Sequence, residues 1–286
     1  MIVVSTNSSV GLSSKLSASM GSTVAPCITR RFPDGELYVR IDADLKEQDV
    51  VVVGSTRTDS DVLETLFLLT AARENGARTV RAVIPYYGYA RQHMIYKPGE
   101  SISSKAILKT MENWCDEIIS VELHDLETAG YSSKTFVNLS VIGSIADHFS
   151  NKKVDYVISP DDGGFERAGK VGEILDCSAL YIDKKRIDST TVEMILPEVD
   201  YKGRNVLLID DIISTGGTIM KAIALLRSRG VSKIFVTAVH GVFASGSQSR
   251  ISAICDGLAV TDTIESNFST ISVASDIARF LKEEKK

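Results

Sequence analysis

The sequence predicts an α/β protein made of two similar domains, each a mostly parallel sheet flanked by helices. Two pairs of stretches carry that prediction. The first pair is VVVVGSTRTDSDVLETLFLLTAARENGARTVRAVIPY, from Val50, and VLLIDDIISTGGTIMKAIALLRSRGVSKIFVTAVH, from Val206. Each runs through an apolar stretch, a polar loop, a helix with apolar residues at i, i+3, i+4 spacing, a glycine near the helix end (Gly76, Gly230) and a second apolar stretch. The second pair is MIVVSTNSSVGLSSKLSASMGSTVAPCITRR, at the start, and VDYVISPDDGGFERAGKVGEILDCSALYIDKKR, from Val154. Both read strand, loop, helix, strand, then a basic pair or triplet. Strands without polar alternation, separated by helices, belong to parallel sheets covered on both faces. The boundary is expected near residue 143. The tail, ISVASDIARFLKEEKK, reads as an amphipathic final helix.

Composition narrows the function classes. The chain has 286 residues, 44% hydrophobic and 24% charged, which suits a globular protein with a sizeable core. Its net charge of −5 argues against a nucleic-acid partner, which wants a basic surface. The N-terminus lacks a basic n-region and a long apolar stretch, so no signal peptide is expected. No run approaches the ~18 apolar residues of a membrane span, so no membrane partner is expected either. Four well-separated cysteines, Cys27, Cys115, Cys177 and Cys255, form no CxxC pair. They fit reduced thiols in a cytoplasmic protein.

The richest stretch is VLLIDDIISTGGT, residues 206 to 218. Asp210 and Asp211 are expected at the carboxyl end of a central strand, the edge where ligands bind in open α/β sheets. Gly216 and Gly217 let the backbone approach an anion, Thr215 and Thr218 add hydroxyls, and the following helix start presents free N–H groups. A carboxylate is a poor phosphate ligand. It is a good acceptor for vicinal sugar hydroxyls, and it can hold Mg²⁺. The motif therefore suits a sugar phosphate, with the phosphate in the turn and the hydroxyls on the acids. An ordinary strand-to-helix turn capped by Asp is the plainer alternative.

Other segments leave alternatives open. Asp161 and Asp162 end the strand of VISPDDGG; they could hold a metal-bound phosphate or cap the next helix. Lys184, Lys185 and Arg186 form either a solvated turn or a cationic loop that offsets charge on a transferring phosphoryl group. In RRFPDGE, from Arg30, and IPYYGYARQ, residues 84 to 92, aromatics, acids and arginine could flank a nucleotide or simply build turns. Gly164 to Lys170 matches G-x-x-x-x-G-K, yet Val171 follows where a phosphate loop needs Ser or Thr, and FERAGKVGEIL has helical spacing throughout. His124 follows the apolar run EIISVEL, where a lone histidine is more often structural than a ligand. His93, His148 and His240 carry no legible signal, no HxH or HExxH pattern is present, and no G-x-S-x-G elbow is visible.

Together, RFPDGE, IPYYGYARQ, ELH, ISPDDGG, YIDKKR and VLLIDDIISTGGT resemble, in that order, the ribose-phosphate pyrophosphokinase family. The last of them is similar to the ribose-phosphate loop of type I phosphoribosyltransferases. The resemblance implies two phosphoribosyltransferase-like domains. Residues 1–142 would form the nucleotide side, joined by the C-terminal helix 272–286, and residues 143–271 the ribose 5-phosphate side. It implies transfer of a diphosphoryl group from ATP to the anomeric hydroxyl of ribose 5-phosphate, with Mg²⁺ as cofactor. Asp210, Asp211, Ser214, Thr215, Gly216, Gly217 and Thr218 would take the sugar phosphate. Phe32, Asp34, Gly35, Glu36, Arg91 and Gln92 would take ATP. His124 and Asp161 would serve the metal, and Lys184 and Arg186 would sit on a catalytic loop. A homo-oligomer, dimer or higher, is implied because the family's adenine site borrows residues from a neighbouring subunit.

Some residues depart from the family pattern. Ser214 stands where many members have Asp, which weakens the alternative of a phosphoribosyltransferase that consumes the diphosphate. The presence of Lys184, Arg186, Asp210 and Asp211 disfavours a second alternative, a catalytically silent regulatory subunit. HMIYKPGESISSK has one lysine before its Pro-Gly where long forms carry several basic residues, and DLETAGYS after His124 departs from the usual pattern. A short form without the ADP allosteric site is expected.

Overall fold

The computed structural model describes residues 1–186 and 192–283, the side chains of Arg186 and Val192 excepted. The chain forms two compact units. One comprises Met1–Ser140, Thr263–Glu265 and Val273–Lys286, the other Val141–Asp262 and Ser266–Ser272.

In the first unit, β1 (Ile2–Ser5) leads to α1 (Val10–Met20) and β2 (Thr23–Val24). Strands β3 (Cys27–Arg31) and β4 (Leu37–Ile41) form a separate antiparallel ribbon, with Arg31 opposite Leu37. Then follow β5 (Asp49–Val53), α2 (Asp59–Glu74), β6 (Thr79–Ile84), α3 (Ser103–Met111), β7 (Glu117–Val121), the single turn α4 (Glu127–Gly130) and β8 (Thr135–Leu139). The main sheet has the order β2-β1-β5-β6-β7-β8, parallel throughout. Local sequence fixes the helix ends. Thr58 accepts from the Asp61 N–H while Asp61 accepts from the Thr58 N–H, a reciprocal cap at the start of α2. Val50, Val52, Val80, Ala82 and Ile118 from the strands pack on Leu68, Leu69 and Ala72 of α2. Each fully buried Leu or Ile there contributes about 2 kcal/mol of transfer free energy.

The second unit repeats the plan. After α5 (Ile142–Phe149) come β9 (Tyr156–Ser159), α6 (Phe165–Leu175) and β10 (Ser178–Tyr181). Strands β11 (Asp183–Arg186) and β12 (Val192–Ile195) form its antiparallel ribbon, with Lys184 opposite Met194. The unit closes with β13 (Asn205–Ile213), α7 (Gly217–Ser228), β14 (Lys233–Gly241), α8 (Ser247–Ser252), β15 (Gly257–Thr261) and β16 (Ser269–Ile271). Its parallel sheet runs β10-β9-β13-β14-β15-β16, the order of the first unit strand for strand. The fold class read from the sequence is correct.

The last helix, α9 (Ala274–Glu283), belongs to the first unit and packs on α1, where Lys282 Nζ donates to the Ser19 carbonyl across 2.9 Å. The G-x-x-x-x-G-K segment lies within α6, as its spacing predicts. Lys184, Lys185 and Arg186 do not form the solvated turn that is one of the two readings of them. They alternate along β11, because pairing with β12 satisfies their backbone groups. All four cysteines are unpaired. No described helix is long and apolar enough to cross a membrane.

Candidate active site

In each main sheet the winding direction reverses between two neighbouring strands, β1 and β5 in the first unit, β9 and β13 in the second. Crevices outside the carboxyl ends of such strands are where open α/β sheets bind ligands. In the second unit that edge gathers most of the residues singled out in the sequence. Strand β13 pairs with β9 through Leu208 and Ile158; Asp161 lies just past the end of β9, whereas Asp210, expected at the end of its strand, is still paired with Ala238 of β14, because β13 runs on to Ile213.

Asp210 and Asp211 are half-buried, and each turns its carboxylate onto the next backbone N–H. Asp210 Oδ1 accepts from Asp211 N at 2.9 Å, and Asp211 Oδ1 accepts from Ile212 N at 2.7 Å. Burial first, then the charge of Asp211, a hydrogen bond with it and the charge of Asp161, push the Asp210 carboxyl up to about 8. The pocket concentrates negative charge with little water to screen it. Sugar hydroxyls or a cation are its natural partners, and a bare anion is not.

The segment Ser214 to Thr218 runs from the end of β13 into the first two residues of α7. Gly216 has φ +74°, and a Cβ there would meet Ile251 Cδ1 at 2.8 Å, so the position requires glycine on two grounds. Helix α8 braces the turn from behind. Ser247 Oγ donates to the Ser214 carbonyl (2.6 Å), and Arg250 Nη2 donates to the Thr215 carbonyl (3.2 Å). The first N–H groups of α7 lack intrahelical acceptors, as at any helix start, and offer donors and a positive dipole end to a phosphate. Ser247 and Arg250 were not legible in the sequence, because they lie about thirty residues beyond the turn they support.

Asp161 precedes a short 3₁₀ turn, Asp162–Gly164, but its side chain does not cap it. Its Oδ2 instead accepts from Lys184 Nζ at 2.7 Å. Of the two sequence alternatives for this residue, the capping one is therefore not realised. Arg186 ends β11, and its side chain lies outside the described residues.

The remaining candidates lie in the first unit. Phe32, Asp34, Gly35 and Glu36 form the turn at the tip of the β3–β4 ribbon. Phe32 N donates to the Glu36 carbonyl (2.9 Å), Gly35 N donates to the Phe32 carbonyl (2.9 Å), and Gly35 takes φ +96°. Arg30 lies over the rings of Phe32 and Tyr38, at 5.7 and 4.9 Å from their centroids. Phe32 remains 41% exposed, a large apolar ring held out on a preformed tip. Arg91 and Gln92 close a short 3₁₀ turn after β6, both exposed. Gly88 just before it packs so tightly that a Cβ would lie 2.0 Å from the Thr56 carbonyl oxygen. His124 is exposed in the loop after β7. That loop and the 90–92 turn are brought together through His93 and Asp125, whose Nε2 and Oδ2 are 3.4 Å apart.

A duplicated parallel α/β fold, with paired acids near the end of a central strand and a Ser-Thr-Gly-Gly-Thr helix start in its second half, defines a protein of the phosphoribosyltransferase-like class. Comparisons with known proteins specify it further. Residues 1–114 match the family model for the N-terminal domain of ribose phosphate pyrophosphokinase, and residues 139–269 match the phosphoribosyl transferase domain. The chain is 44% identical to the ribose-phosphate pyrophosphokinase of Thermoplasma acidophilum over 281 residues, 98% of each chain. It is 43% identical to that of Pyrococcus furiosus over 256 residues, 88% of this chain and 91% of the other. The crystal structure of phosphoribosylpyrophosphate synthetase from Mycobacterium smegmatis superposes with a TM-score of 0.86 at 25% identity, covering 99% of this chain and 98% of that one. The chain belongs to the ribose-phosphate pyrophosphokinase family.

Proposed function

We propose that the protein is a ribose-phosphate diphosphokinase that moves the β,γ-diphosphoryl group of ATP to the anomeric hydroxyl of ribose 5-phosphate. The products are AMP and 5-phosphoribosyl 1-diphosphate, a precursor for nucleotide biosynthesis. In this step the anomeric oxygen forms a bond to the β-phosphorus. The bond from the β-phosphorus to the α,β-bridging oxygen breaks, its electron pair leaves with AMP, and the proton of the anomeric hydroxyl is released to solvent. Such transfer needs positioning and charge neutralisation more than a covalent nucleophile.

The observation that carries the reading is the shared strand edge of the second unit. There Asp161, Lys184, Asp210 and Asp211 gather, and the Ser214–Thr218 turn follows directly on β13. The turn and the start of α7 take the 5-phosphate, and Asp210 and Asp211 take the ribose hydroxyls. Lys184 and Arg186 offset charge on the transferring group. Phe32, Asp34, Gly35, Glu36, Arg91 and Gln92 take ATP, with adenine against the Phe32 tip of a neighbouring subunit in a homo-oligomer. The assignment of the first unit to the nucleotide and the second to the sugar phosphate belongs to the same reading, as does a cytoplasmic location.

The oxygen donors of Asp161, Asp210 and Asp211, and the charge they accumulate, suit a hard cation of the Mg²⁺ type, with His124 on the nucleotide side. Bound there, Mg²⁺ would neutralise the diphosphate charge. A transferase that consumes the diphosphate and a silent regulatory subunit are not favoured, since relatives matched over nearly the whole chain are named pyrophosphokinases.

Incubation with ATP, ribose 5-phosphate and Mg²⁺ tests the proposal. AMP should form only when the sugar is present. ADP in its place, or AMP independent of sugar, would overturn it.

A further inference from the structure

His93 follows directly on Arg91 and Gln92, Asp125 lies in the loop after β7, and Glu127 begins α4. The sequence offered no role for any of the three. The His93 residue is 7% exposed, and its Nδ1 lies 3.0 Å from the Ala90 carbonyl oxygen. A carbonyl only accepts, so Nδ1 carries a proton, and Nε2 is the nitrogen left to take a metal. Nε2 faces Asp125 Oδ2 at 3.4 Å and Glu127 Oε2 at 4.0 Å. Three atoms able to hold an ion thus lie close together. The Tyr96 hydroxyl, 3.4 Å from Nε2, is at the outer limit of an O–H···N bond.

The dimensions suit an ion. The three ligand atoms lie within 4.8 Å of one another. A tetrahedral ion with bonds of about 2.0–2.2 Å spaces its ligand atoms by roughly 3.4 Å. The bond from Nδ1–H to a backbone carbonyl is also how a metal-bound imidazole is commonly oriented. Tyr131 further fixes the segment, its hydroxyl donating to the His93 carbonyl at 2.9 Å.

We propose that His93 Nε2, Asp125 and Glu127 form a divalent metal site, a different set of ligands from those assigned above to the Mg²⁺ of the reaction. One imidazole nitrogen with two carboxylate oxygens is a borderline donor set, better matched to Zn²⁺, Co²⁺ or Mn²⁺ than to Mg²⁺. The bound ion ties the Ala90–Gln92 turn to the loop after β7. Its effect on catalysis, a higher KM for ATP when the ion is removed, rests on the reading of Arg91 and Gln92 as nucleotide contacts.

The test uses the full chain, stripped with EDTA and titrated with Co²⁺ in excess Mg²⁺, without ATP or sugar. One Co²⁺ per chain should bind, with weak visible bands of nitrogen and oxygen coordination and no intense thiolate charge-transfer band. Zn²⁺ should displace it. Asp125→Asn with Glu127→Gln should weaken uptake at least about tenfold, the scale of losing metal contacts. His93→Gln serves if the double variant melts differently from the parent in EDTA. Asp161→Asn should leave uptake unchanged. Absence of stoichiometric uptake, a thiolate spectrum, or equal uptake by the variants would overturn the site; the first would leave a salt-bridged imidazole without metal. Because uptake is read without substrates, its failure leaves the AMP-forming assay to judge the diphosphokinase reading by itself.

Discussion

Lys184 Nζ donates to Asp161 Oδ2 across 2.7 Å, fastening the β3–β4-like ribbon of the second unit to the end of strand β9. Both side chains are about one-third exposed, 33% and 38%, so water screens the pair and it adds little to folding, at most about 1 kcal/mol. Its value lies in placing a cation on Asp161, whose charge in turn reaches Asp210. Lys184→Ala should therefore barely move the melting temperature yet lower kcat by roughly 10²–10³, the scale of removing one charge-stabilising donor. Thermal melts and the AMP assay check the two halves together. A large drop in melting temperature, or an unchanged kcat, contradicts this division of labour.

Asp210 gives a pH prediction. Its folded value, about 8, is raised above the ordinary 3.8, so between those values the folded chain holds a proton that the unfolded chain has released. Stability contributed by the protonated group is full below about 4 and is lost as pH rises toward 8. The substrate-free, metal-free protein should therefore melt at lower temperature as pH climbs through that window. Asp210→Asn should flatten the slope. Equal slopes in both proteins would count against the burial of this carboxyl.

Gly216→Ala combines a left-handed backbone with a Cβ 2.8 Å from Ile251 Cδ1. The conformational part alone costs about 1–2 kcal/mol, and the contact adds to it unless Ile251 turns aside. The expected outcome is a lower melting temperature with a raised KM for the sugar phosphate. Kinetics with ribose 5-phosphate varied at saturating ATP give the readout; a KM change for ATP alone would point elsewhere.

Glu265 Oε1 accepts from the Leu12 N–H at 2.8 Å, in the first turn of α1, where backbone donors lack intrahelical partners. Glu265→Ala should cost about 1 kcal/mol, as loss of a capping side chain does. Calorimetric melts should show it, without a change in KM for ribose 5-phosphate.

How much was legible follows from the range of each interaction. The twin strand–loop–helix stretches showed in the sequence because apolar periodicity is local. So did the helical spacing that removed Gly164–Lys170 from the phosphate loops. The Asp210–Thr218 motif was legible because strand end, turn and helix start are contiguous. The two ribbons were missed. Their strands are short and exposed, and the run Lys184-Lys185-Arg186 looks like a solvated turn until β12 is placed beside it. Ser247, Arg250 and the His93–Asp125–Glu127 group were invisible for the same reason, since each acts on residues far away in the chain.

The first unit draws Thr263–Glu265 and α9 from the far end of the chain, with Lys282 on Ser19 and Glu265 on Leu12. Synthesis on the ribosome is vectorial. Residues 1–140 emerge first but wait for the last segment before α1 gains its outer cover, whereas the second unit lies almost wholly in one continuous stretch. The half that starts first therefore finishes last, and a nascent chain halted before residue 263 leaves the side of α1 that α9 covers open to chaperones and proteases.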